Sequence, residues 1–260
     1  MEIKRVFEFA RRVIENMDFN EFSEKIKSEF KLKIGINLDE VLCQKFFDFM
    51  NYLLEKNQVM NLTAITEPND VILKHFVDSS ILLKFFPADK FDNLKFVDIG
   101  TGAGFPGIPL AIICKNANFV LTDSLGKRIK FLEEVVERLS LNNVQLVKNR
   151  AEDFCHNIKF REKFDVSLSR GVAKLSVLSE YSLPSLKTGG VMFAYKMADI
   201  DEELSDGKNA ISKLGGMFHV KHPYFLLENE PERCIVEIRK TKPTPKQYPR
   251  KAGTPSKNPL

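Results

Sequence analysis

Apolar positions change period near residue 94, and the change divides the chain. Before it the spacing is helical: Val6, Phe9, Val13 and Met17 recur every three to four residues. Leu42, Phe46, Phe49 and Leu53 do the same after a possible Asn37 cap. A further helix carries Leu73, Phe76, Val77 and Ile81, with Asn69 or Asp70 as its cap. Between these helices Asn57 to Thr66 is polar in part and predicts irregular backbone. After residue 94 short apolar runs alternate with amphipathic stretches. Strands are predicted at 95–99, 119–122, 144–147, 165–168 and 191–195. Helices are predicted at 127–139, near 175–186 with an interruption at Pro184, and at about 200–214. The last two strands, near 217–224 and 233–239, have no helix between them and should pair as a hairpin. The fold class is therefore α/β: an open, mostly parallel sheet with an antiparallel strand near one edge and a helical N-terminal extension.

Length and composition fit this plan. A chain of 260 residues, 43% of them apolar, can hold one α/β domain plus an extension. The divisions expected are 1–92, a helical region packed on the core; 93–240, the α/β domain; and 241–260, a tail. No apolar run is long enough to span a membrane. The first residues mix acids and bases and lack a signal-peptide core. Four scattered cysteines (Cys43, Cys114, Cys155, Cys234) read as buried free thiols in a reducing compartment, so the cytoplasm is expected. The net charge of +4 hides an asymmetry: from Arg239 onward there are seven bases, five prolines and no acid. Such a tail reads as a solvated arm with a polyanion as its natural partner. A solubilising tail that binds nothing fits the charge equally.

The chemistry concentrates at residues 96–110. An apolar strand ends in Asp98 and breaks into Gly100, Gly102 and Gly104 before a helix. Strand, glycine turn and helix form a nucleotide-binding element. Gly102-x-Gly104-x-x-Gly107 matches the dinucleotide fingerprint, and Asp123 stands where a ribose-binding acid would. That pattern alone leaves an NAD-dependent oxidoreductase open. Asp98 points elsewhere, because a carboxylate at that strand end would repel a pyrophosphate. S-adenosylmethionine has no phosphate; it offers an ammonium and a sulfonium cation. Asp98 as a mere turn cap is the plainer alternative. Asp123 for the ribose and Arg150-Ala151-Glu152-Asp153 for the adenine complete an ordered set that looks like the class I S-adenosylmethionine-dependent methyltransferases, a Rossmann-like fold.

Several motifs together resemble a narrower family. They are Asn61-Leu62-Thr63-Ala64-Ile65, Lys74-His75-Phe76-Val77-Asp78-Ser79, Asp98 to Pro109, Asp123-Ser124-Leu125-Gly126-Lys127-Arg128, Arg150-Ala151-Glu152, Ser169-Arg170-Gly171-Val172-Ala173 and the Gln247–Pro255 tail. Over roughly residues 35–260 the chain resembles the RsmG (GidB) family of bacterial 16S ribosomal RNA methyltransferases. Departures are Lys56-Asn57 where the family often has Trp-Asn, Gly171 where alanine is usual, and Tyr195-Lys196-Met197. The resemblance implies N7 methylation of a guanine at rRNA position 527, on 16S rRNA, the small subunit or an assembly intermediate. It implies S-adenosylmethionine as donor, with Gly100, Phe105, Asp123, Ser124, Ala151, Glu152 and Arg170 as its contacts.

Guanine N7 has a lone pair and no proton, so no general base is required and no catalytic acid or base is assigned. Positioning carries such a reaction. The RNA contacts expected are Arg150, Arg170, Lys196, Arg250 and Lys251, and a structural ion pair is the alternative for Arg170. His75 and Asp78 should face one way on a helix, bracing the site floor. His219-x-x-His222 on a strand would point to opposite faces, so no metal is expected. A monomer is expected, and a protein that docks on RNA without turnover remains a second alternative.

Overall fold

A computed structural model describes residues 17–260. The expected helix through Val6, Phe9 and Val13 lies outside the described residues. Seven strands form one sheet: β1 (Lys95–Ile99), β2 (Asn118–Asp123), β3 (Val144–Lys148), β4 (Phe164–Arg170), β5 (Leu186–Met197), β6 (Gly216–Tyr224) and β7 (Arg233–Lys240). Their order is β3-β2-β1-β4-β5-β7-β6. The β1, β2, β3, β4 and β5 pairings are parallel, and β7 runs antiparallel between β5 and β6. The chain reverses direction across the sheet between β1 and β4. At such a switch point the loops leaving the strands' carboxyl ends diverge and open a crevice.

Two cores sandwich the sheet. On one face lie α1 (Phe19–Lys33) and α2 (Glu40–Met60), together with a run of helical turns at Pro68–Asp70, Val71–Val77, Asp78–Ser80 and Leu82–Phe85, the second of them π-helical. Phe22, Phe30, Phe46, Phe49 and Phe76 are fully buried there and continuous with sheet residues Phe96 and Phe119. The N-terminal helices therefore share the sheet's core and build no separate one. The other face buries Phe154, Phe164, Leu175, Leu183 and Ile211 beneath the helices Ala151–His156, Leu175–Ser182 and Asp201–Lys213. All four cysteines are buried and free. No described helix is long and apolar enough to cross a membrane.

Some boundaries moved for local reasons. Asp39, not Asn37, caps α2, its carboxylate accepting the Leu42 N–H at 2.8 Å. The next helical run starts at Pro68, before Asn69 and Asp70. α2 also continues through Met60, absorbing the first part of the expected loop. Asn57 inside it compensates by capping the loop beyond the helix: its Oδ1 accepts from Leu62 and Thr63 N–H at 2.6 and 2.9 Å, and its Nδ2 donates to the Thr63 carbonyl. A β-bulge between Phe218 and Val220 carries His219 round to the side of His222. Both rings face Glu237, at 3.9 and 3.0 Å, instead of opposite faces. Among the described residues no group of three His, Cys, Asp or Glu side chains could hold a metal ion.

The largest departure is the tail. Residues 241–260 are folded against the body. Arg161 donates to the carbonyls of Tyr248 and Thr244 at 2.6 and 2.9 Å. Glu162 accepts the Thr244 N–H at 2.9 Å. Lys240 is buried, its ammonium donating to the carbonyls of Leu183 and Leu214 and to Thr244 Oγ1. Burial pushes that amine down to about 8. Charge counting missed this because the partners come from distant loops and helices.

Candidate active site

The turn after β1 is shaped by Asp98 from within. Gly100, Gly102 and Gly104 have φ of 70°, 61° and 96°, a region that side chains disfavour. Asp98 Oδ2 accepts from Thr101 Oγ1 at 2.7 Å and from the Gly107 N–H at 3.0 Å, which fastens both ends of the turn. A Cβ on Gly107 would stand 2.8 Å from that oxygen. Asp98 is 1% exposed, and burial raises its carboxyl to about 6 against the opposing hydrogen bonds from Thr101 and Gly107. The expected cofactor contact is thus turned inward; the cap reading describes this carboxylate.

Beside the turn lies a cleft of about 490 Å³. Its walls are the carboxyl ends of three successive strands: Ile99 and Gly100 after β1, Asp123 and Ser124 after β2, and Arg150, Ala151 and Glu152 after β3. Asp123 is tied in place by Gly102 N–H at 3.1 Å, Leu125 N–H at 2.8 Å and Arg128 at 3.1 Å. Arg150, expected on the RNA, stands on this cleft. Gly102 and Gly104 do not line it. Gly102 supplies the N–H that reaches Asp123, while a Cβ on Gly104 would collide with Ile108 and Leu132, so that glycine serves helix packing.

A second cavity, about 610 Å³, opens on the far side of Gly171 and Val172, which line both. Arg170, at the end of β4, organises it. Its guanidinium donates to the Lys74 carbonyl at 3.0 Å, to Asp78 Oδ2 at 2.9 Å and to His75 Nδ1 at 3.1 Å. A guanidinium always donates, so Nδ1 must accept. His75 is then neutral with its proton on Nε2, which donates to Thr63 Oγ1 at 2.7 Å. Burial, reinforced by Arg170, lowers the ring to about 3. Asp78 also accepts from Tyr224 Oη at 2.8 Å and pairs with Arg233 at 3.2 Å. Phe105 lies under this network, buried: it stacks on His75 at 4.3 Å between centroids and carries Arg170 at 5.1 Å. Phe105 and Arg170, expected on the cofactor, therefore belong to the second cavity's frame.

Lys196 lines the second cavity and is held by the Ala173 carbonyl and Glu203, at 2.6 and 2.5 Å. Arg250 is paired with a body residue, the fully buried Glu180, at 2.6 Å, which corrects its assignment as a free RNA contact. Lys251 is exposed. Three residues escaped sequence reasoning. Arg233 starts β7 opposite Met197 and Tyr224, and only strand register brings it here. Gly253 and Ser256 reach the first cleft from the tail.

Sheet order, terminal antiparallel strand and a cleft over the first three strand ends define a class I methyltransferase fold. A solved structure of a Pyrococcus horikoshii protein shares the fold, with a TM-score of 0.50 at 14% identity over 63% of this chain and 64% of that one. The family model for rRNA small subunit methyltransferase G (GidB) matches residues 42–230. The ribosomal RNA small subunit methyltransferase G of Lactobacillus johnsonii is 46% identical, covering 88% of this chain and 95% of its own. That of Clostridium tetani is 45% identical, covering 87% and 94%. The chain belongs to the rRNA small subunit methyltransferase G family.

Proposed function

We propose that this enzyme transfers a methyl group from S-adenosylmethionine to N7 of a guanine in 16S rRNA, position 527 of that RNA, in the cytoplasm. One observation carries the reading: two cavities of different chemistry meet at Gly171 and Val172. The first cleft suits the donor. Its residues include those of the ordered set after β1, β2 and β3, and Gly171 and Gly253, with open space where a Cβ would stand, let a nucleoside approach closely. Asp123 would accept from the ribose hydroxyls, Ala151 and Glu152 would border the adenine, and Gly100, whose missing Cβ makes room for Val172, would line the turn. When bound, S-adenosylmethionine supplies a methyl group on a positively charged sulfur.

The second cavity suits the acceptor. Lys74, Arg170, Lys174, Lys196 and Arg233 line it with Asp78 as the one lining carboxylate, while Asp70, Glu230 and Glu203, outside the lining, pair with Lys74, Arg233 and Lys196. Such a surface meets RNA phosphates on either side of an extruded base. The N7 lone pair needs no deprotonation, which fits a site whose imidazole is held neutral with Nδ1 already occupied by Arg170. The protein's work is orientation and exclusion of water. Arg170 and Lys196 steady the RNA, and Lys251 extends the basic surface outside.

The test is deletion of the gene followed by nucleoside analysis of 16S rRNA. Loss of N7-methylguanosine at one site, restored by this chain, is expected. Unchanged modification would refute the reaction. Purified protein acting on small subunits and on naked 16S rRNA identifies the substrate form.

A further inference from the structure

We propose that the C-terminal segment 250–256 is the outer wall of the cofactor cleft at its nucleoside end, a strap locked to the body and not a free arm, with only the exposed Lys251 left to the RNA. This rests on reading the first cleft as the S-adenosylmethionine site.

Three observations meet here. Gly253 and Ser256 line the cleft directly, alongside Glu152 and Tyr181. The Gly253 N–H donates to Glu152 Oε1 at 2.8 Å, so the strap grips the residue that borders the adenine. Gly253 has φ of +83° with nothing within 4 Å of where a Cβ would stand, so its bare backbone faces open space. The lock lies next to it. Glu180, fully buried, accepts from Arg250 N–H at 2.6 Å and from the Arg250 guanidinium through both oxygens, at 2.6 to 3.1 Å. Glu180 and Tyr181 are consecutive on the helix Leu175–Ser182. The same helical turn that anchors the strap therefore contributes a cleft residue.

The chemistry explains the composition of the segment. A charge-assisted, multiply bonded arginine on a buried carboxylate is a strong and directional anchor. The charge of Arg250 is consumed there and is not available to a phosphate. Glycine and serine beyond it leave a shallow wall against which a flat base can lie. The family model ends at residue 230, so the strap lies outside it.

Two measurements on the intact protein and two variants decide the matter. Hydrogen exchange with and without S-adenosylhomocysteine should show slower exchange of amides 250–257 on binding. Truncation after Ala252 keeps the Arg250 lock and removes Gly253 and Ser256. It should weaken S-adenosylhomocysteine at least tenfold, while small-subunit RNA binding stays unchanged. Ser256→Trp keeps the whole strap and fills the cleft; it should weaken the same ligand with no fall in melting temperature. Failure of the full chain to bind S-adenosylhomocysteine would overturn the cleft's assignment. Normal binding by both variants, with no change in exchange at 250–257, would overturn the strap alone.

Discussion

In the cleft proposed for the donor the lining comes mainly from the ends of three successive strands, whereas the cavity proposed for the acceptor is walled by long charged side chains from four stretches, at 74–78, 170–174, 196 and 233. The cleft's contacts come from the ends of neighbouring parallel strands, so a short stretch after each strand suffices. The cavity's frame runs Asn57 to Thr63, Thr63 to His75, His75 to Arg170, Arg170 to Asp78, and Asp78 to Tyr224 and Arg233. The first cleft needs local geometry; the second cavity needs the whole fold. The two should fail differently when broken.

The largest effect is expected from Asp78→Ala. It strips the counter-charge from Arg170 and leaves Arg233 with Glu230 alone; their side chains are 17% and 22% exposed. Breaking a buried pair from one side costs about 3–5 kcal/mol, or roughly 6–20 °C of melting temperature for a chain of this size. Methylation should fall by about a hundredfold or more, the order of a lost positioning group. Below the new melting temperature, S-adenosylhomocysteine affinity should hold within about threefold. A parallel collapse of that affinity would show the two cavities to be one energetic unit.

Asp123→Ala tests the other side. Its carboxylate fastens Gly102, Leu125 and Arg128 and faces the cleft. Hydrogen bonds to a charged group are worth about 1.5–3 kcal/mol, so cofactor affinity should fall roughly ten- to a hundredfold. Calorimetric titration reads this, and RNA affinity should stay put. An unchanged cofactor affinity would remove Asp123 from the donor site.

Legibility in the sequence divides along the same line. Strand positions, the mostly parallel sheet and the terminal hairpin were readable because period and length report burial. So was the placement of Gly100, Asp123, Ser124, Ala151 and Glu152 at strand ends, where they line one cleft. Asp98 and Phe105 sit in the right motif but turn inward, and side-chain direction inside a tight turn is not written in spacing. Arg250 misled because its partner, Glu180, lies seventy residues away. The His219–His222 pair misled because a bulge shifts the alternation by one.

A smaller effect belongs to the cavity's rim. Lys196→Gln keeps a hydrogen-bonding tip within reach of the Ala173 carbonyl and removes one charge. Affinity for the small subunit should fall about tenfold at most, and the salt dependence of binding should lose roughly one unit of slope. A full slope would mean that Glu203, at 2.5 Å, already neutralises this lysine in the complex.

The smallest expected effect is an absence of titration at His75. Arg170 donates to Nδ1 and burial excludes water, so the ring is lowered to about 3, far below the ordinary imidazole value. Between that value and about 6.5 the unfolded chain binds a proton that the folded chain refuses. The contribution of His75 to stability is therefore full above about pH 6.5 and is lost as pH falls toward 3. Asp98, raised to about 6, runs the other way: its contribution shrinks as pH rises from the usual carboxylate range toward 6. Neither group gives methylation an inflection between pH 7 and 8. A nuclear magnetic resonance titration of the His75 ring should show no midpoint between pH 5 and 8, and Asp78→Ala should bring one into view if loosening Arg170 frees Nδ1. A midpoint near 6.5 in the intact protein would mean that Arg170 does not hold the ring, and that the acceptor cavity is framed by something other than this network.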